Sequence, residues 1–97
     1  MQHRRLGRSG LKISAVSLGG WLTFGSQVDE AGVKEVVAAA VDGGVNFIDL
    51  ADVYAKGEAE RVFGRALAAY RRQDLVISSK AFWSMTDNVN DRGLSRK

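Results

Sequence analysis

The 97-residue chain contains no cysteine, which excludes a disulfide framework and a thiolate metal site and gives no pointer to an oxidising compartment. No metal is expected, and cytoplasm is the default location. No apolar run approaches the ~20 residues that a membrane span requires, so membrane insertion is not expected. Acidic residues are missing from the start, where His3, Arg4, Arg5, Arg8 and Lys12 all precede Asp29. That basic start does not form an amphipathic targeting helix, because Gly7, Gly10, Gly19 and Gly20 interrupt it. The other cations are scattered and no aromatic residues interleave with them, so no nucleic-acid partner is expected either. What is present is 45% hydrophobic residues and a formal charge of +3, the composition of one small globular domain or of part of a larger one.

Local patterns divide the chain into alternating elements. Arg4–Leu6 and Leu11–Ile13 flank the turn Gly7-Arg8-Ser9-Gly10 and read as a hairpin. The mostly apolar run Ala15–Leu18, ended by Gly19-Gly20, reads as a buried strand followed by a loop. Asp29 is a candidate N-cap for a helix whose Val33, Val36, Val37, Ala40 and Val41 recur at helical spacing, and Gly43-Gly44 ends it. Val45–Ile48 is the second strand. A second helix is predicted from about Gly57 to Tyr70, with Ala59, Val62, Phe63, Ala66, Leu67 and Tyr70 on its apolar face. Leu75–Ser78 is the third strand, rich in β-branched residues.

A hairpin followed by β-α-β-α-β implies parallel strands joined by right-handed crossover helices. Equivalent strand ends recur at one pitch, 30 positions from Gly19 to Asp49 and 31 from Asp49 to Lys80. An eight-unit βα barrel of ~250 residues has a pitch of about 31 per unit. A doubly wound sheet tolerates the same pitch, but its nucleotide-binding turn reads G-x-G-x-x-G, which Gly19-Gly20-Trp21-Leu22-Thr23 does not match. In either architecture reactive groups collect beyond the carboxyl ends of the strands. Gly20 and Trp21 follow the first strand, Asp49 ends the second with Tyr54 close behind, and Lys80 follows the third, so all five share one rim.

Their chemistry suits proton transfer. A free phenol, with a pKa of ~10, exchanges protons poorly near neutrality unless an adjacent ammonium stabilises the phenolate. Lys80 is the candidate ammonium, and Asp49 the carboxylate that would keep it protonated and fixed. Tyr54 would then act as general acid toward an oxygen gaining negative charge. Reduction of a carbonyl needs such a donor, with hydride drawn from a cofactor. Each residue also has an ordinary structural role open to it: Asp49 as a turn or capping residue, Tyr54 as a lid on the core, Lys80 as a solvated cation.

RRLGRSGLKISAVSLGGW, TFGSQVDE, GVNFIDLADVY, GEAERVFGRAL and DLVISSK, in that order, resemble the N-terminal third of an aldo-keto reductase. The similarity is greatest to the branch containing the potassium channel β subunits and related bacterial oxidoreductases, and it covers essentially residues 1–97. The resemblance implies an α/β fold, the N-terminal part of a (β/α)8 TIM barrel whose hairpin, about residues 4–13, caps the amino end. It implies NADPH extended across the carboxyl rim. Asp49, Tyr54 and Lys80 match the family's catalytic aspartate, tyrosine and lysine, with Tyr54 as proton donor, Lys80 as the cation that tunes it and Asp49 as partner of Lys80. Gly20, Trp21, Gln27 and Asp49 match positions that meet the cofactor. The implied substrate is a small aldehyde or ketone, reduced to an alcohol.

Two departures stand out. Leu50 occupies a position where the family usually carries threonine or serine, so a small hydroxyl beside Asp49 is missing. The family's fourth catalytic position, a histidine or asparagine on a later strand, has no counterpart, since His3 belongs to the hairpin end. Asp91–Lys97 reads as a loop and then Ser95 as the N-cap of a helix, which is the pattern expected of an interrupted barrel. Unpaired parallel edges would favour association, possible homo-oligomers included, and the isolated chain is expected to be inactive and not to bind NADPH. The alternatives to an NADPH-dependent carbonyl reductase are a cofactor-binding regulatory module of the channel β-subunit type and a non-functional partial product. Trp21, Phe82 and Trp83 suggest an apolar mouth, with core packing open for Phe82.

Overall fold

A computed structural model describes residues 1–96. The hairpin pairs β1 (His3–Arg5) antiparallel with β2 (Lys12–Ser14). A separate parallel sheet has the order β3 (Leu18–Gly19), β4 (Phe47–Asp49), β5 (Val76–Ser78). Helices α1 (Glu30–Asp42) and α2 (Glu58–Leu67) form the crossovers, so consecutive strands are neighbours, as in the wall of a βα barrel. The helix that Ser95 was expected to cap lies outside the described residues.

Both helices form for legible reasons. The Asp29 side chain accepts the Gly32 amide at 2.9 Å and closes the first turn of α1. Val33 and Val37 of α1 and Ala59, Val62, Phe63, Ala66 and Leu67 of α2 are buried. All of these but Ala59 pack with Phe24, Ile48 and Leu75 into one core, against which Leu18 and Ile77 also lie. Leu18, Ile48 and Ile77 occupy one row across the sheet, because strands in register show matching residues on the same face. Glu30 of α1 and Glu58 of α2 both reach Arg65, at 2.9 Å and 3.4 Å, and tie the helices at their exposed edge.

The hairpin docks at the amino end of β4 through side chains rather than through the sheet. Asn46 Oδ1 accepts the Ser14 amide at 2.8 Å, while the Asn46 amide donates to Ser14 Oγ at 3.1 Å. Asn46 Nδ2 donates to the Lys12 carbonyl at 3.0 Å. Ser14, buried at 3% exposure, is thereby satisfied. His3 lies at this end, beside Asn46 and Leu75.

Three expectations are corrected. The strand expected over Ala15–Leu18 is only Leu18–Gly19, because the Ala15 amide is spent on the Gln2 carbonyl at 2.8 Å and Val16 turns outward at 59% exposure. The second helix ends at Leu67, and Tyr70 covers the core from the turn that follows. Val36, expected on the apolar face of α1, is 38% exposed. Only one edge of that valine stripe meets α2 and the sheet, which Val33 and Val37 already fill.

Candidate active site

The carboxyl ends of the three parallel strands bring the expected residues together. Asp49 is the last residue of β4, and Gly20, just past β3, donates its amide to the Asp49 carbonyl at 2.9 Å. A Cβ on Gly20 would collide with Leu50 Cδ2 as it is placed here, so the absence of a side chain at residue 20 lets Leu50 pack directly on the strand end. Leu50 is buried at 4% exposure. It fills this seam and leaves the carboxylate of Asp49 undisturbed.

Lys80 Nζ lies 2.9 Å from both Asp49 oxygens, 2.7 Å from the Leu50 carbonyl and 3.4 Å from Tyr54 Oη. An ammonium carries three protons and no lone pair. Carboxylate, carbonyl and phenol oxygen therefore account for its donors, and toward lysine the phenol can only accept. The phenolic proton is left free to point away from Lys80. The Asp49 hydrogen bond holds Lys80 above its ordinary value of 10.5, so the lysine is charged throughout the neutral range. Asp49 sits below its ordinary 3.8, first through a hydrogen bond from Ser78 and second through Lys80.

That Ser78 contact was not anticipated. Its hydroxyl donates to Asp49 Oδ1 at 2.5 Å, and the β4–β5 register places Ser78 directly beside Asp49. The hydroxyl missing at Leu50 is thus present on the neighbouring strand. Period-two placement opposite a carboxylate was the available signal, and it needed the register to be read.

Tyr54 is held by an unusual turn. The 3-10 segment Tyr54–Gly57 places Ala55 at φ 48°, ψ 37° and Lys56 at φ 52°, ψ 44°, both left-handed. Gly25, at φ 86°, presses on it so closely that a Cβ there would lie 2.9 Å from the Ala59 amide nitrogen and 3.0 Å from Ala55 Cβ. A left-handed residue with a Cβ costs roughly 1–2 kcal/mol. Ala55→Gly is therefore expected to raise stability by about 1 kcal/mol, part of the relief being lost to greater unfolded-chain entropy; denaturant titration reads the change, and a loss of stability contradicts the strain.

The groups open on a cleft of about 280 Å³ lined by Trp21, Ala51, Asp52, Val53, Tyr54, Lys80, Phe82 and Trp83. Trp21 stacks on Tyr54 with ring centroids 6.2 Å apart and planes inclined by 24°, and Lys80 Nζ is 5.2 Å from the phenol ring centroid. Phe82, at 49% exposure, is a wall of this mouth rather than core. Gln27 is placed elsewhere, in a shallow depression with Val28, Glu30, Glu58 and Arg65. A wider hollow of about 720 Å³ over the loop from Ser84 to Arg92 contains none of Asp49, Tyr54 and Lys80.

Comparison with known proteins gives the family. A model described as the Aldo/keto reductase family matches residues 15–97. Two plant proteins, from Arabidopsis thaliana and Oryza sativa subsp. japonica, each curated as "Probable voltage-gated potassium channel subunit beta", are 50% identical over 99 residues. The match takes in 100% of this chain and 30% of each relative. Among solved structures, a thermostable aldo-keto reductase crystallised with the inhibitor epalrestat superposes with a TM-score of 0.71 at 32% identity, over 81% of this chain and 30% of that one. The chain thus spans about 30% of the length of the relatives it matches.

Proposed function

Because the chain belongs to the aldo/keto reductase family, we propose that it supplies the proton-donating part of a cytoplasmic, NADPH-dependent reductase of small aldehydes and ketones. The observation that carries the reading is the ammonium of Lys80, which meets Asp49 and Tyr54 at once at the edge of the cleft that Lys80 and Tyr54 line.

The residues present suit a nicotinamide. Trp21 offers a flat indole at 65% exposure beside Tyr54, in a cleft walled largely by apolar groups, and a planar aromatic ring packs well on such a face. Gly20, Trp21 and Asp49, with Gln27 in its separate depression, are the residues we assign to holding NADPH, which when bound supplies hydride to the carbonyl carbon. The chain's own part is the proton. As the carbonyl π bond breaks, the oxygen takes the phenolic proton of Tyr54, giving the alcohol. The fixed charge of Lys80 stands beside the oxygen on which phenolate charge develops, and Asp49 keeps that charge in place. Solvent then returns a proton to Tyr54.

The test is a completed barrel, in which residues 1–97 replace the matching N-terminal segment of one plant relative. With NADPH and benzaldehyde, aldehyde-dependent loss of nicotinamide absorbance is the expected result, and its absence in a folded barrel that binds NADPH opposes the reductase reading. The 50% identity to the two proteins curated as channel β subunits favours a second reading, a cofactor-binding regulatory module. Tight NADPH binding with negligible turnover is what that reading expects.

A further inference from the structure

We propose that Ser78 is a positioning residue of this site, its hydroxyl clamping Oδ1 of Asp49 so that the carboxylate in turn holds Lys80 against Tyr54; the inference rests on the reductase reading. Three features of the site require such a clamp. The ion pair is open to water, with side-chain exposures of 53% for Lys80 and 35% for Asp49, and ion pairs this exposed hold their partners weakly. The residue after Asp49 is Leu50, which offers the site only its carbonyl. Asp49 Oδ1 also carries two donors, Ser78 Oγ at 2.5 Å and Lys80 Nζ at 2.9 Å, and the hydroxyl contact has the short length of a charge-assisted bond.

The geometry makes Ser78 the rigid member of this set. It belongs to β5 and is locked in register with Asp49, so its hydroxyl reaches the carboxylate from a strand rather than from a loop. Lys80 lies beyond the strand on an exposed segment. Without the hydroxyl, Asp49 is free to rotate about its side-chain bonds. The ammonium then follows the carboxylate or water instead of staying 3.4 Å from Tyr54 Oη. The ionisable group that meets the carboxylate is Lys80, which also reaches Tyr54, and Asp52 lies on the wall of the cleft that Lys80 and Tyr54 line.

The sign of the pH effect follows from the contacts. Ser78 and Lys80 both favour ionised Asp49 and hold it below 3.8. Losing the hydroxyl moves the titration upward, so function that depends on the carboxylate fails at a higher pH on acidification.

The decisive pair is Ser78→Thr against Ser78→Val, which share a shape and differ in one hydroxyl; Ser78→Ala is the third variant. In the completed barrel with NADPH and benzaldehyde, S78V and S78A are expected to lower kcat on the order of tenfold. The acid limb of their kcat profile should move to higher pH, while S78T matches the parent in both kcat and acid limb. Equal kcat and acid limbs for S78T and S78V overturn the proposal. A second measurement needs no catalysis: the side-chain carboxyl carbon of Asp49, followed by NMR against pH in the completed barrel, with Asp49→Asn to identify the signal. Its midpoint is expected to rise in S78V and not in S78T, and an unmoved midpoint in S78V overturns the clamp. A parent barrel without turnover counts against the reductase reading alone, since the NMR comparison still decides Ser78.

Discussion

Replacing Tyr54 by phenylalanine is expected to lower kcat for aldehyde reduction in the completed barrel by a factor of about 100 to 10,000, the usual contribution of a positioned general acid, while NADPH binds within about twofold of the parent. The substitution removes one oxygen and keeps the ring. The stacked contact with Trp21 and the approach of Lys80 to the ring centroid both survive it. Lys80 also keeps its bonds to Asp49 and to the Leu50 carbonyl, so the rim should hold its shape. Rates with saturating aldehyde, together with a fluorescence titration of NADPH, separate the two effects. Turnover within a few-fold of the parent would falsify the assignment of Tyr54 as donor, and a parallel loss of binding would move Tyr54 to the cofactor site.

Phe63→Ala is the largest expected change in stability. Phe63 is fully buried, meets the edge of Phe24 at a centroid distance of 5.0 Å and an angle of 78°, and its ring lies 3.4 Å from where a Cβ of Gly20 would stand. Truncating such a residue costs about 3–5 kcal/mol through lost transfer energy and a residual cavity. A domain has roughly 5–15 kcal/mol in all, and in one of barrel size Tm moves by about 2–4 °C per kcal/mol. A fall in Tm of about 6–20 °C is expected in the completed barrel, or outright loss of cooperative melting. The damage should reach the rim, because Gly20 rests on this ring and carries the amide that meets Asp49. A drop of less than about 5 °C in the completed barrel contradicts the central place given to Phe63.

Much of this fold was legible in the sequence, for physical reasons that particular residues illustrate. The two helices announced themselves because a cap and a 3.6-residue period leave a mark in any one window: Asp29 with Val33 and Val37, then Ala59 through Leu67. Strand β3 did not, because an apolar run records burial but not pairing, and Ala15 is claimed by the hairpin. The rim was legible from strand order more than from pitch: the residue in register with Asp49 is Ser78, and Lys80, set by equal spacing at the equivalent strand end, lies two residues beyond β5, close enough for its side chain to reach Asp49. The left-handed pair Ala55 and Lys56 was hidden, since alanine and lysine give no sign of positive φ and the segment that packs closely on them, at Gly25, is 30 positions away in the chain. Ser78 was hidden for a similar reason. Its meaning lies in the residue across from it, Asp49.

The docking of the hairpin bears on the chemistry at the other end. Asn46 accepts and donates the bonds that fasten the hairpin, and three residues further along the same extended segment Asp49 presents its carboxylate, about 10 Å away at the rise of a strand. That segment is a short strut loaded at both tips. Slack where the N-terminus is moored would therefore be passed, along one short strand, to the carboxylate that holds Lys80.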